Sequence, residues 1–301
     1  MIKKFYDFGA GHHAIKRMFS IVLQKLLGKH RRLHKHQFFT DGIGYIDQQI
    51  CADGVFEKGL LGHIENVVER SGFKELYVDI GANIGNHVVG VSGIFDRAIA
   101  FEPHPALFHV LSANVISNGC NNVELFNYGL GSVTTSGTLI ESPSNHGLSK
   151  VEGMSTMSAG FFDLKDQSFS KRYNIDICES ASILEKYSEN LGRAFIKIDV
   201  EGMEFDILSS LTPLIIQHNP IVAFEWVPSE QPELHDFVTS MTQYQFYGVY
   251  IAQSSNFILR HLKNLFLGRR YCFTQLDMND LPDLIPLVFM IPKKFESKSW
   301  D

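Results

Sequence analysis

The stretch "AFIKIDVEG", residues 194–202, places Asp199 and Glu201 directly after an apolar run that is typical of a buried strand. Because side chains alternate along a strand, Lys197, Asp199 and Glu201 share one face, and Lys197 can neutralise an acid two residues further on. Clustered carboxylates raise the pKa of one another, which suits a general base near neutral pH. We therefore predict that Asp199 and Glu201 bind a ligand or take up its proton.

A glycine turn stands in "YVDIGANIGNH", residues 77–87, between a predicted strand and a predicted helix. Gly81 and Gly85 lack a Cβ atom, so a ligand can approach the backbone of this turn closely. The next predicted strand ends at Glu102, about 20 residues after Gly81, where an acid can accept hydrogen bonds from both ribose hydroxyls. This pattern predicts a nucleoside site.

The same turn limits the choice of nucleoside. Asn83 stands where a dinucleotide-binding turn requires its second glycine, and the chain has no G-x-x-x-x-G-K-[ST] phosphate loop. NAD, FAD and ATP or GTP hydrolysis are therefore disfavoured. Asp79 lies just before the turn, where a carboxylate complements the cationic groups of S-adenosylmethionine (SAM), which carries no phosphate. Alternatively, Asp79 caps the loop through backbone N–H groups.

These motifs occur in an order that resembles the FkbM family of class I SAM-dependent methyltransferases. The stretches that carry the resemblance are "VDIGANIGNH", "AFEPHP", "LSANVISNG", "NYGLGS", "IKIDVEGMEFDIL" and "PIVAFEW". The resemblance implies an α/β fold with a Rossmann-like, mostly parallel, seven-stranded sheet. It also implies SAM as methyl donor and O-methylation of a hydroxyl on a sugar, a glycolipid or polysaccharide precursor, or a secondary metabolite.

Matching positions then give the residues that we expect at the site. The cofactor-binding set is Asp79, Gly81, Ala82, Asn83, Gly85, Glu102 and Asp199. The catalytic candidates are Glu201, Asp199 and His146, the last because "SNHGLSK" resembles a polar stretch of the family. A lone histidine in a loop is more often merely exposed than catalytic. No metal is expected, because the histidines at 12, 13, 30, 34 and 36 lie outside the strand-end crevice and lack companion acids at short spacing.

Three nearby features have an ordinary structural explanation as well. Glu201 is also placed to cap the first turn of the following helix. Glu204 and Asp206 are predicted to lie on a solvated helix face. Glu225 precedes Trp226, and this pair is either a platform on which an acceptor stacks or a buried ring beside a paired acid.

Alternating strands and helices surround these motifs and predict a helix-covered sheet. The predicted strands are 76–80, 98–102, 123–127, 194–200, 221–226 and 287–291. The predicted helices are 84–95, 104–118, 201–217 and 230–244. Residues 128–193 break the rhythm and are predicted to be an insertion that faces the substrate, with a strand at 172–178. The predicted organisation is a segment 1–44, a catalytic domain 45–292 and a tail 293–301.

The N-terminal segment has a charge opposite to that of the rest of the chain. The net charge is −6 over 301 residues, yet residues 1–36 are rich in Lys and Arg and hold one acid, Asp7. Residues 14–29 fit an amphipathic helix that either lies on an anionic membrane surface or packs on the main domain. A second basic amphipathic stretch, 260–270, is predicted to be an inserted helix.

Bulk features predict a cytoplasmic protein, with peripheral contact to the inner face of the membrane as an option. The N-terminus lacks a signal-peptide pattern, and no apolar run approaches the roughly 20 residues of a bilayer span. The four cysteines stand far apart, which indicates neither a zinc site nor a disulfide framework.

Two other functions compete with O-methylation of a small molecule or glycan. A nucleic-acid methyltransferase is disfavoured, because Asp199-Val200-Glu201-Gly202 stands where base-modifying enzymes carry an [ND]-P-P-[YF] turn. Two carboxylates there would also repel phosphates, so no nucleic-acid partner is expected. The other alternative is a non-catalytic methyltransferase-like scaffold docked at a membrane by residues 1–36.

Overall fold

A computed structural model describes residues 34–40, 45–142, 145–152, 171–200, 202–229, 231–251, 271–282 and 284–295. The α-helices in this part are α1 (Tyr45–Asp53), α2 (Lys58–Ser71), α3 (Asn86–Val91), α4 (Pro105–Ser117), α5 (Ser180–Leu184), α6 (Ser188–Leu191), α7 (Glu204–His218) and α8 (Glu233–Ser240). Short 3-10 helices span Ser92–Ile94, Glu185–Tyr187 and Lys293–Phe295.

The strands of the described residues form two sheets. They are β1 (Leu76–Ile80), β2 (Arg97–Phe101), β3 (Val123–Phe126), β4 (Gly129–Gly131), β5 (Thr135–Ser142), β6 (Asn145–Val151), β7 (Arg172–Glu179), β8 (Ala194–Ile198), β9 (Ile221–Trp226), β10 (Tyr244–Ile251), β11 (Tyr271–Gln275) and β12 (Ile285–Pro292). The central sheet has the order β11-β10-β12-β9-β8-β1-β2-β3, and the second sheet has the order β4-β7-β5-β6.

The predicted α/β fold with a mostly parallel central sheet is confirmed. The strands from β9 to β3 are mutually parallel, whereas β12, β10 and β11 pair antiparallel at one edge. The described part of this sheet has eight strands where the resemblance implied seven, because β11 extends the edge beyond β10.

Helices cover both faces of the central sheet, which is why its inner strands are apolar runs. All five residues of β1 and all five of β8 are buried. One face packs Leu76 and Ile80 against Leu208 of α7, and the other packs Tyr77 against Ile64 of α2. Consecutive side chains therefore alternate between two cores.

The predicted helix 230–244 is too long at its C-terminal end, because α8 ends at Ser240 and β10 begins at Tyr244. Along β10, Tyr244 and Phe246 pack into one core while Tyr247 packs into the other. This two-residue alternation of aromatic side chains fits a strand, and the structure follows it rather than the helical reading.

The second sheet is built from the segment that was predicted to be an insertion. The predicted strand 172–178 corresponds to β7, which pairs with β5 in antiparallel and with β4 in parallel orientation. Its apolar face joins Leu139, Val151, Ile175 and Ile177 in one cluster with Met203, which follows β8. The second sheet thus packs directly against the carboxyl end of the central sheet.

Residues 36–40 run alongside α4. The Gln37 N–H donates to Asn118 Oδ1 at 2.9 Å, and the Phe39 N–H donates to Asn114 Oδ1 at 2.6 Å. Asn114 in turn donates to the Ile84 carbonyl at 2.7 Å. The predicted basic helix 14–29 and the predicted helix 260–270 lie outside the described residues.

Candidate functional site

A cavity of about 350 Å³ opens where the parallel strands of the central sheet end. Its floor follows the strand order, with Pro286 and Leu287 from β12, Glu225 from β9, Asp199 after β8, Gly81 after β1, Glu102 after β2 and Gly129 after β3. Helices α1 and α2 contribute Ile46 and Leu60, with Phe56 and Glu57 between them, and the second sheet contributes Leu139, Val151, Ile175 and Ile177. In open α/β sheets, ligands bind in this crevice.

The glycine turn is folded as its sequence requires. Gly81 has φ +82°, and a Cβ atom there would lie 1.9 Å from the Asp199 carbonyl oxygen, so no other residue fits without backbone movement. Gly85 also has positive φ, and a Cβ there would press on Leu111 of α4. Both the Gly81 and the Ala82 N–H groups donate to the Phe101 carbonyl at 3.0 Å. The turn is thereby fixed between β1, β2 and β8.

Glu102 is held beside this turn by backbone groups. Its Oε2 accepts the Asn83 N–H and its Oε1 accepts the His104 N–H, each at 2.8 Å. Its burial raises the pKa to about 7, although these two N–H groups favour the ionised form. A carboxylate has about four lone-pair sites, so two of them are free of these contacts and can accept ligand hydroxyls.

Lys197 lies between two carboxylates beneath the cavity. Parallel pairing puts Asp79 of β1 directly beside Lys197 of β8. The Lys197 Nζ is 3.4 Å from Asp79 Oδ1 and 3.0 Å from Asp199 Oδ2, and its side chain is 1% exposed. Burial would lower the pKa of Lys197, but Asp199 and Asp79 together raise it above its ordinary value. The predicted contact between Lys197 and Asp199 is present.

The pKa of Asp199 shifts in the direction opposite to our expectation for clustered acids. Burial would raise it, but Lys197 and His87 outweigh burial and lower it below its ordinary value. The expectation of a raised pKa is therefore wrong for Asp199, because a buried cation stands between the two neighbouring acids. Asp79 Oδ2 is buried and has no hydrogen-bond partner among the described residues.

The prediction of a solvated face is wrong for Glu204, which is 1% exposed. Its carboxylate accepts the Val200 N–H and the Gly202 N–H, both at 3.1 Å, and Gln231 Nε2 also donates to it. Burial raises the pKa of Glu204. Glu204 thus stabilises the loop after β8 through backbone contacts.

Of the two interpretations of Trp226, the buried one is correct. Its ring is fully buried and its Nε1 donates to the Gln231 carbonyl at 3.2 Å, so no acceptor can stack on it. Glu225, one residue earlier, lines the cavity.

The sequence reasoning missed a pair formed by His87 and Glu57. His87 lies in the first turn of α3, and its Nε2 is 3.5 Å from Glu57 Oε2. Asn86 holds the Glu57 loop, since its Oδ1 accepts the Phe56 N–H at 2.7 Å and its Nδ2 donates to the Phe56 carbonyl at 3.0 Å. The available signal was the pair Asn86-His87, two polar residues that open an otherwise apolar helix.

The cavity brings together most of the residues predicted from the sequence. Gly81, Ala82, Asn83, Glu102 and Asp199 line it, whereas Asp79 and Gly85 are not among its lining residues. Glu201 lies outside the described residues. The backbone of His146 belongs to β6, but its side chain lies outside the described part.

The described residues contain no group of three or more His, Cys, Asp or Glu side chains placed to hold a metal ion. Their helices include none with the length and apolar character that crossing a bilayer requires.

A known protein family matches more than half of the chain. The chain matches the model of the methyltransferase FkbM domain over residues 79–248. Among proteins with curated functions, none matches the chain in sequence.

Solved structures of methyltransferases resemble the chain distantly. The FkbM methyltransferase of Methylobacillus flagellatus KT is 18% identical with a TM-score of 0.43, over 72% of this chain and 44% of that chain. This chain therefore spans less than half of that protein. An O-methyltransferase of Bacillus cereus, crystallised with SAH, is 8% identical with a TM-score of 0.40, over 84% and 91%. The precorrin-6y C5,15-methyltransferase of Geobacter metallireducens is 11% identical with a TM-score of 0.37, over 85% and 100%.

Proposed function

Because the chain belongs to the FkbM methyltransferase family, we propose that it transfers a methyl group from SAM to a hydroxyl oxygen of a sugar, a glycolipid or polysaccharide precursor, or a secondary metabolite. One observation carries the proposal. Glu102 is fixed by two backbone N–H groups at the end of β2, beside the glycine turn, with acceptor sites left for ribose hydroxyls.

The residues around Glu102 fit the remainder of the donor. The second sheet supplies an apolar lining that suits an adenine ring, with Leu130, Leu139 and Ile177. Toward β8, Asp199 lines the cavity and stays ionised because its pKa is lowered. This carboxylate complements the positive charges of a sulfonium and an ammonium group.

When bound, SAM supplies an electrophilic methyl carbon on a positively charged sulfur. The chain orients the two reactants at the strand ends and excludes water with the apolar residues of the second sheet. A carboxylate of lowered pKa is a weak base, so Asp199 suits the donor's charge better than the acceptor's proton. We keep Glu201 as the proposed proton acceptor and His146 as the second candidate.

The acceptor would occupy the end of the cavity that the donor leaves open. Beyond Asp199 the floor continues through Glu225 to Pro286, and Ile46 and Phe56 lie above it. A carboxylate among apolar surfaces suits a neutral polyhydroxyl compound, whose hydroxyls donate to the acid while its carbon skeleton packs. The proposed partner is therefore a small molecule or glycan. A contact between the basic residues 1–36 and an anionic membrane remains a prediction.

The test is transfer of an isotopically labelled methyl group from SAM to a panel of neutral methyl glycosides, phenols and sugar phosphates. We expect label on a hydroxyl oxygen of a neutral acceptor, detected by mass spectrometry, together with formation of S-adenosylhomocysteine (SAH). Glu102→Gln should reduce the rate, while Glu124→Gln, at an exposed acid on the neighbouring strand β3, should not. Absence of SAH binding by calorimetry would refute the proposal, and label on RNA bases would favour the nucleic-acid alternative.

A further inference from the structure

Two loops meet at the end of the cavity that is proposed for the acceptor, one after β8 and one after β9. The two strands are parallel neighbours, so both loops begin at the same edge of the central sheet. Asp199, Val200 and Met203 of the first loop line the cavity, and so does Glu225 at the end of β9. The shape of the acceptor end therefore depends on how these two loops are held together.

The first loop is held by Glu204, the first residue of α7. Its side chain is buried, and its Oε1 accepts the Val200 N–H while its Oε2 accepts the Gly202 N–H, both at 3.1 Å. An ionised carboxylate has about four lone-pair sites and no proton to donate. Glu204 can therefore accept both backbone N–H groups and a third donor as well.

The third donor is Gln231, which belongs to the loop after β9. Its Nε2 donates to Glu204 Oε2, and its Oε1 accepts the Val227 N–H at 3.3 Å. Its backbone N–H donates to the Val227 carbonyl at 3.0 Å, and its carbonyl accepts Trp226 Nε1 at 3.2 Å. Gln231 is 6% exposed. This one residue thus organises the second loop and fastens it to Glu204.

The two side chains are complementary, and their orientation follows from their partners. The Gln231 amide must offer an N–H group to the carboxylate and an oxygen to Val227. A second acid at position 231 would bring two carboxylates into contact, which disfavours the ionised form of both. An amide at position 204 would, in either orientation, turn its N–H group toward another N–H donor. The contact therefore requires an acid at one position and an amide at the other.

We propose that Glu204 and Gln231 are positioning residues for methyl transfer, because their contact sets the separation of the two loops and thereby the position of the acceptor. This inference rests on the proposed function. Neither residue is among those that line the cavity, so both act through the loops.

The proposed donor contacts are anchored independently of this pair. Glu102 is held by the N–H groups of Asn83 and His104. Asp199 is fixed to β1, since its N–H donates to the Ile80 carbonyl at 3.0 Å. Disruption of the contact between Glu204 and Gln231 should therefore slow methyl transfer without weakening the binding of SAH.

Amide hydrogen exchange, followed by NMR on the protein without ligand, tests whether the two loops are coupled. Gln231→Met keeps the length of the side chain and removes its amide. We expect the Val200 and Gly202 N–H groups to exchange about 10-fold faster in this variant, the scale for loss of a hydrogen bond to a charged group. The Gly81 N–H, in the glycine turn, should exchange as in the wild type.

Exchange of the two residues supplies a rescue that a general loss of stability would not give. Glu204→Gln and Gln231→Glu should each lower kcat for methyl transfer to the neutral methyl glycosides by about 10- to 100-fold, since a misplacement of about 1 Å can cost this much. The Kd of SAH, measured by calorimetry, should stay within about twofold. The double variant again sets an amide against a carboxylate and should recover part of the loss in kcat.

Gln243 offers a matched control site. It is half-buried, lies before β10, and its described side-chain contact is with Met241 Sδ. It does not line the cavity. Gln243→Met should leave the hydrogen exchange of the loop after β8 as in the wild type, and Gln243→Glu should leave kcat unchanged.

Unchanged exchange of the Val200 and Gly202 N–H groups in Gln231→Met would overturn the inference, because the loops would then not be coupled through this contact. A double variant no faster than the single variants would also overturn it, as would a loss of SAH affinity that parallels the loss of kcat. If Glu204→Gln does not fold, Gln231→Met and Gln231→Glu decide. Failure of the proposed function is a different result, namely a wild-type protein that binds no SAH while its loops remain coupled in hydrogen exchange.

Discussion

The two ends of the cavity are built from different chemistry. At the end lined by the second sheet, Leu130, Leu139 and Ile177 form an apolar wall. Toward β8, Lys197 and its two carboxylates lie beside the pair of His87 and Glu57. Glu102 stands between the two ends, and its own described contacts are with backbone N–H groups.

The cavity therefore combines apolar contacts at one end with matched charges at the other. Apolar contacts stabilise both the fold and a bound ring, and they respond weakly to pH and salt. Buried charges must be matched one by one, because the loss of a partner costs more than the pair contributes. The charged end should therefore be the sensitive part of the site and the apolar end the tolerant part.

The largest effect should come from Lys197→Met, which breaks the charged end. The substitution leaves Asp79, which is fully buried, without its cation, and we expect a loss of about 3–5 kcal/mol in the free energy of unfolding. Denaturant unfolding measures it. Adding Asp79→Asn should recover part of the loss. The control Arg172→Met breaks an exposed ion pair with Glu152 and should lower the free energy of unfolding by at most about 1 kcal/mol. Equal losses in Lys197→Met and Arg172→Met would contradict the expected sensitivity of the charged end.

The ionisation of Glu102, which lies between the two ends, should have a smaller effect on the free energy of unfolding. Its pKa is raised from 4.5 to about 7 in the folded protein, so the folded state holds this proton more tightly than the unfolded state. The resulting stability is complete below the unfolded pKa and is lost as the pH rises through about 7. The difference between the folded and the unfolded pKa of Glu102 corresponds to about 3 kcal/mol in the free energy of unfolding.

Unfolding by denaturant near pH 5 and near pH 8 measures this contribution. Glu102→Gln cannot ionise, so its stability should decline less with pH than that of the wild type. Some decline should persist, because burial also raises the pKa of Glu204. Glu124→Gln, at an exposed acid, should retain the full wild-type decline, and a full decline in Glu102→Gln would show that this carboxyl is not the group responsible.

The parts of the site that could be predicted from the sequence are local or follow from strand order. Gly81 and Glu102 were recognisable because a turn without Cβ and an acid at the next strand end recur at fixed spacing. The contact between Lys197 and Asp199 followed from the two-residue period of a strand. The pairing of Lys197 with Asp79 required the register of β1 on β8, which the sequence does not state.

The parts that could not be predicted depend on residues far apart in the chain. Glu204 is buried because Gln231, 27 positions later, donates to it, and an acid in the first turn of a helix otherwise looks solvated. The partnership of His87 with Glu57 depends in the same way on Asn86 holding a loop 30 positions earlier. Strands β4, β5 and β6 of the second sheet also escaped prediction, since they contain Ser, Thr and Gly rather than long apolar runs.

The smallest effect, that of salt, separates the two ends most directly. Raising NaCl from about 0.05 M to about 0.5 M shortens the Debye length severalfold and weakens the attraction between the ammonium group of a bound SAH and Asp199. Because Asp199 lies in the floor of the cavity, screening is partial, and we expect the preference for SAH over 5′-methylthioadenosine, which has the same nucleoside but no amino-acid group, to fall by about two- to threefold. The affinity for 5′-methylthioadenosine, which would contact the apolar end and Glu102, should stay constant. Asp199→Asn should lose the salt dependence together with the preference. If salt instead weakened both ligands equally in the wild type, charge would act over the whole cavity, and the division into an apolar end and a charged end would be wrong.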